Sequence, residues 1–220
     1  LPIELSIDAA LAGRVRIGAA VIDGVTVQPG DAALTADIET HARELRERHG
    51  SARSGEVPGA AAARSLYKAL GLDPTKTRPS NEALLRRVLK GESLYVVNTL
   101  VDALNLCSLH YQLPFGLYDH ARILPPVVLR KGRAGESYEG IRKGAVHVEG
   151  RPVLVDAQGP FGNPTSDSAR TMITLETRVA LVVLYAPANT PAARLQEVMA
   201  GTEATLTRFC GGAVASRLCL

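Results

Sequence analysis

Residues 3–8 alternate apolar and polar side chains, and residues 14–22 are mostly apolar; both patterns predict strands. Residues 31–48 carry helical periodicity behind Asp31, a good N-cap. The end of that segment, RELRERH, alternates charge and reads as a solvated helix face. Residues 51–59 are rich in Gly and Ser with one Pro, a loop, and residues 60–70 form a helix stopped by Gly71. Ser80, ahead of Asn81 and Glu82, predicts a capped helix with Leu84, Leu85, Val88 and Leu89 on its apolar face and Gly91 at its end. Residues 98–113 predict another helix, with Leu100, Val101, Leu104, Cys107 and Ser108 on one side and Pro114 as its stop. Strands are predicted at 127–130, 145–148, 153–156, 172–176 and 180–185, and a closing helix at 191–207. Helices gather in the first half and strands in the second. That order predicts an α+β fold, with a mixed or antiparallel sheet packed by helices. No repeat or composition break divides the chain, so residues 1–220 are expected to form a single domain.

The stretch GPFGNPTSDSART, residues 159–171, breaks this pattern. It joins two apolar runs and consists almost wholly of small, hydroxylated, acidic or turn-forming residues. It predicts a surface loop or, more sharply, a pocket wall, with backbone N–H groups at Gly159, Phe161 and Gly162, around Pro160, open to a polar ligand. Thr165, Ser166, Asp167, Ser168 and Thr171 supply short hydroxyls and a carboxylate beside it.

Composition narrows the function classes. The chain is 46% hydrophobic and 21% charged, ordinary for a globular protein. No apolar run is long enough for a membrane helix, and residues 1–8 lack a secretory leader pattern. Three cysteines with no C-x-x-C fit a reducing cytoplasm. A net charge of +3 permits steering toward a polyanion, while 4% aromatics and no Trp supply few stacking groups. Phosphate-loop, dinucleotide, nucleophile-elbow and zinc-protease motifs are all missing. The five histidines are scattered without ligand spacing, so no metal and no cofactor are expected. The informative polar residues sit among apolar ones: Asn105 on a mostly apolar helix, and Glu176 closing the 172–176 run.

Three blocks carry a family resemblance: RPSNEALLRRVLKGESLYVVNTLVDALNLCSLHYQLPFGLYD, GESYEGIRKG and GPFGNPTSDSART. In order and spacing they resemble the B3/B4 domain of the bacterial phenylalanyl-tRNA synthetase β subunit, and more closely its free-standing relatives. The resemblance runs over about residues 65–185, leaving 1–55 as an N-terminal strand and helix extension and 190–220 as a C-terminal helix. In the synthetase this domain hydrolyses wrongly attached amino acids from tRNA. The resemblance implies a cytoplasmic trans-editing deacylase acting on the acceptor end of a mischarged tRNA, not a complete synthetase. The charged amino acid is an arginine analogue such as canavanine on arginine tRNA, or an aromatic one on phenylalanine tRNA. It also implies the site residues. Asn105 matches the family's pocket asparagine, Gly159–Gly162 its glycine-rich loop and Glu176 its strand-end glutamate. Leu104 stands where the synthetase has threonine, and Gly116 where it has histidine. Asn105, Glu176 and Thr171 are the expected catalytic group, since an already labile ester needs a placed water and oriented donors more than a strong nucleophile. Asp167 or Glu176 is expected to hold the substrate ammonium. The alternatives are a non-catalytic module that binds tRNA or free amino acid, and a small-molecule amino-acid ester hydrolase.

Overall fold

The computed structural model describes residues 2–220. Along the chain run β1 (Leu5–Ile7), β2 (Val15–Asp23), α1 (Ala32–His49), α2 (Ala60–Ala69), α3 (Ser80–Leu89), α4 (Thr99–Tyr111), β3 (Phe115–Asp119), β4 (Val127–Lys131), β5 (Ser137–Glu139), β6 (Ala145–His147), β7 (Pro152–Asp156), β8 (Gly159–Asn163), β9 (Ser166–Asp167), β10 (Val179–Pro187), α5 (Ala192–Cys210) and β11 (Ala213–Cys219). The class is α+β, as the segregation of helical and strand patterns predicts.

One sheet has the order β1-β4-β7-β8-β9 and is antiparallel except for the parallel pair β1–β4. The other is antiparallel, β11-β2-β10-β3, and β5–β6 is a separate hairpin. The two larger sheets face each other. Leu129, Leu154 and Phe161 of the first pack with Ile17, Val21, Leu181, Val183 and Tyr185 of the second, and with Leu66 and Tyr67 of α2. The opposite face of the second sheet, with Ala20, Ile22, Val182 and Leu184, packs against Leu100, Ala103, Leu195 and Val198 of α4 and α5. Strands β2 and β10 are therefore covered on both faces, which is why their sequences are apolar without alternation. A buried carboxylate fastens the outer helices: Glu82 of α3 accepts from Arg64 of α2 at 2.7 and 2.8 Å and from Ser54 at 3.1 Å.

Several predicted elements change. Residues 159–167 are not a loop but a hairpin, in which β8 pairs with β7 and turns back into β9, while residues 168–171 lie outside any strand. Residues 172–176 are not a strand, because the Thr174 and Thr177 hydroxyls accept from the N–H groups of Glu176 and Thr174 and close a local turn. Ser80 is the first residue of α3 rather than its cap, and its buried hydroxyl has no hydrogen-bond partner among the described residues. Helix α4 ends at Tyr111, before Pro114, where Gln112 takes a left-handed φ of 56°. Asn98 caps its start by accepting from Val101 N–H. Strands β3, β5 and β11 have no counterpart among the predicted elements.

Candidate active site

Strand β3 ends the second sheet, so its outer side lacks a neighbouring strand. Between this edge, the wall of α4 and the α3 N-terminus lies a cleft of about 920 Å³. Val101, Leu104 and Ser108 of α4, Phe115 and Leu117 of β3, Leu84 of α3 and Ile173 form its mainly apolar body. The β8–β9 turn delivers Thr165, Ser166 and Asp167 to it, and the 172–176 turn delivers Met172, Leu175 and Glu176.

Two polar groups stand out. The half-buried Asn105 projects from α4 into the cleft, and its amide makes no hydrogen bond to any described residue. The Asp167 carboxyl is buried at the wall. Burial pushes it up to about 7, against the pull of hydrogen bonds from the Tyr118 hydroxyl and Leu117 N–H and of the Lys143 charge. Asp167 Oδ1 is buried with no hydrogen-bond partner among the described residues.

The structure brings together Asn105, Leu104, Thr165, Ser166, Asp167 and Glu176, all of which line the cleft. Glu176 is on its exposed rim, held below the usual carboxylate range by the Thr174 hydroxyl. Gly159, Pro160, Phe161, Gly162, Ser168, Thr171 and Gly116 do not line it. Residues 159–162 are strand β8, so the expectation of a free glycine-loop donor set there is corrected: this backbone pairs with β7 and β9. Phe161 is fully buried between the sheets and meets Tyr118 in a T-shaped contact with ring centroids 5.0 Å apart. Ser168 and Thr171 exchange a buried hydroxyl contact at 3.0 Å and brace the end of the hairpin.

The glycines have a different task. A Cβ on either Gly116 or Gly162 would collide with the Tyr118 hydroxyl and ring. Both positions are glycine so that the buried Tyr118 side chain can cross between the sheets and donate to Asp167. Two more tyrosines hold the same turn: Tyr67 donates to Pro164 C=O at 2.8 Å, and Tyr138 to Ser166 C=O. The peculiar composition of residues 159–171 thus builds a hairpin clamped by three tyrosine hydroxyls.

Sequence reasoning missed Tyr118, Leu117, Phe115 and Arg142 as parts of the site. The signals were Gly116 two residues before Tyr118, and Arg142 between Gly140 and Gly144. Among the described residues, no group of three or more His, Cys, Asp or Glu is placed to hold a metal ion. No described helix is long and apolar enough to cross a membrane.

A family model described as the B3/4 domain matches residues 62–209. A solved N-terminal fragment of the phenylalanyl-tRNA synthetase beta-subunit from Pyrococcus horikoshii is similar at 13% identity and a TM-score of 0.47, over 98% of this chain and 53% of that one. The chain thus spans about half the length of that fragment. No curated protein matches.

Proposed function

We propose that this chain, which belongs to the B3/4 domain family, is an aminoacyl-tRNA deacylase that removes wrongly attached amino acids in trans. The observation that carries the reading is the unpartnered pair of polar groups, the Asn105 amide and Asp167 Oδ1, on the wall of one large, mostly apolar cleft. An aminoacyl ester offers complementary parts: an α-ammonium, a polarised carbonyl and a side chain. Asp167 takes the ammonium, which supplies the missing donor to Oδ1. Asn105 donates to the ester carbonyl or fixes the attacking water. Leu104, Phe115, Leu117 and Ile173 enclose the side chain. Water adds to the ester carbonyl, the acyl–ribose bond breaks, the proton passes to the leaving ribose oxygen, and free amino acid and tRNA result. Positioning does most of the work, because the ester is already activated.

The amino acid follows from the same walls. An aromatic or aliphatic side chain suits the apolar body. A guanidinium-bearing side chain would meet Asp167 or the rim Glu176.

The test is release of labelled amino acid from a panel of correctly and incorrectly charged tRNAs, with no synthetase present. Selective release from one mischarged tRNA is expected. Asn105→Ala and Asp167→Asn should each lower it by about ten- to thousand-fold, the scale of losing a positioned polar group. Full activity in both variants would refute the site. tRNA binding without release would leave a binding module.

A further inference from the structure

Among the described residues eight large apolar side chains are exposed, and four of them line the cleft. Val97, Ile141, Met172 and Leu175 line it, and Tyr95 and Val96 immediately precede Val97. Such a concentration marks an interaction surface. Tyr95 is 71% exposed, whereas every other aromatic side chain is buried or half-buried. It is nonetheless held in place. The Arg87 guanidinium lies 4.1 Å from its ring centroid and is itself fixed by Ser93 C=O at 3.0 Å and Glu92 at 3.1 Å. Val97 N–H donates to Asp102 of α4 at 3.1 Å, tying the segment to the cleft wall. A rigid aromatic ring in water, backed by a cation, is a stacking platform.

Charge at the same mouth points to the occupant. Arg142 lines the cleft in a left-handed conformation, φ 53°, that an arginine rarely adopts. Its guanidinium has no hydrogen bond or ion pair to any described residue. Lys143 follows it, reaching Ser166 Oγ at 2.6 Å, and Arg86 and Lys90 are exposed on α3 near Arg87. Glu92, paired with Arg87 and Lys90, and Asp167 and Glu176 in the cleft are the carboxylates that face this basic set.

We propose that this rim seats the single-stranded 3′ end of the RNA that carries the ester, with Tyr95 stacking on a base and Arg142 meeting a backbone phosphate. The assignment rests on the reading of the cleft as an ester-hydrolysing site, and it adds the surface that delivers the ester. Unpaired RNA ends are the form of RNA whose bases are open to stacking on an aromatic side chain.

The experiment exploits the absence of tryptophan from the chain. Tyr95→Trp creates a single fluorescent reporter at an exposed position where the fold tolerates change. It is titrated with a short uncharged single-stranded RNA bearing a free 3′-hydroxyl, and with blunt double-stranded RNA of the same length. Saturable quenching by the single strand, and not by the duplex, is expected. Tyr95→Ala, read by the anisotropy of a fluorescently labelled copy of the same single strand, should weaken binding by about ten-fold relative to the unsubstituted protein, the scale of losing one stacked base. Arg142→Gln should lower the salt dependence by roughly one phosphate contact. No quenching, or equal affinity in Tyr95→Ala, overturns the proposal. The readout needs no catalysis. Quenching without ester hydrolysis would reject the deacylase and keep the RNA surface; hydrolysis without quenching would do the reverse.

Discussion

Asp167 concentrates the chemistry of this protein in one side chain. An unfolded aspartate titrates near 3.8, and the buried one near 7, so the native state holds a proton that the unfolded state has already lost. The stabilising effect of that proton is complete below about pH 4 and disappears as pH rises through about 7. Asp167→Asn should therefore flatten the fall in Tm between these limits, as read by thermal melts across the range. An unchanged slope would mean that the carboxyl is not desolvated. Activity should run the other way, because only the ionised carboxylate attracts an ammonium. Release of amino acid should rise through pH 7 in the native protein more steeply than in Asp167→Asn, once the background hydroxide reaction is subtracted.

At the scale of elements, the β8–β9 hairpin is the piece that makes the site. Its turn carries Thr165, Ser166 and Asp167 into the cleft, while its strands lie in the sheet. Gly162→Ala pushes a methyl group into the Tyr118 ring, and because backbone and buried rings surround it, the ring has little room to move. A loss of about 1–3 kcal/mol is expected in urea unfolding. Gly144→Ala is the control, since a Cβ there meets nothing within 4 Å. Equal stability of the two variants would show that Tyr118 is not held as described. The hairpin was misread from sequence for a physical reason. Glycine, proline and hydroxyl residues favour turns locally, and the cause of Gly116 and Gly162 is a tyrosine ring that reaches them only after the sheets meet. Conversely, residues 172–176 have strand-like composition, but two threonine hydroxyls capture the backbone. The helices were easier, because their periodicity and the Asp31 cap act within a few residues.

Across the whole molecule, the second sheet is the shared wall of both main cores, with β2 between β11 and β10. Removing residues 213–220 strips β11 from β2, leaving a long apolar strand as an open edge, and also removes Arg217, which holds the buried Glu203 carboxylate at 2.7 Å. A lower Tm and concentration-dependent aggregation are expected for that truncation, measured by thermal melts and light scattering. A melt indistinguishable from the full chain would show that β11 is dispensable.

The sequence by itself determined the α+β class, most helix and strand positions, and the membership that its three blocks signal. These follow from local periodicity and from residue order, both of which are fully present in one dimension. It also marked Asn105 and Glu176 as polar residues in apolar company, and Asp167 as one of a cluster of polar side chains in residues 159–171. Only the tertiary structure decided that Asn105 and Asp167 share a cleft while Gly159–Gly162 and Thr171 stand outside it, and that Val97 and Arg142 line the same cleft. Those facts depend on strand pairings and side-chain contacts between residues far apart in the chain, and their free energy exists only once the sheets and helices have closed around each other.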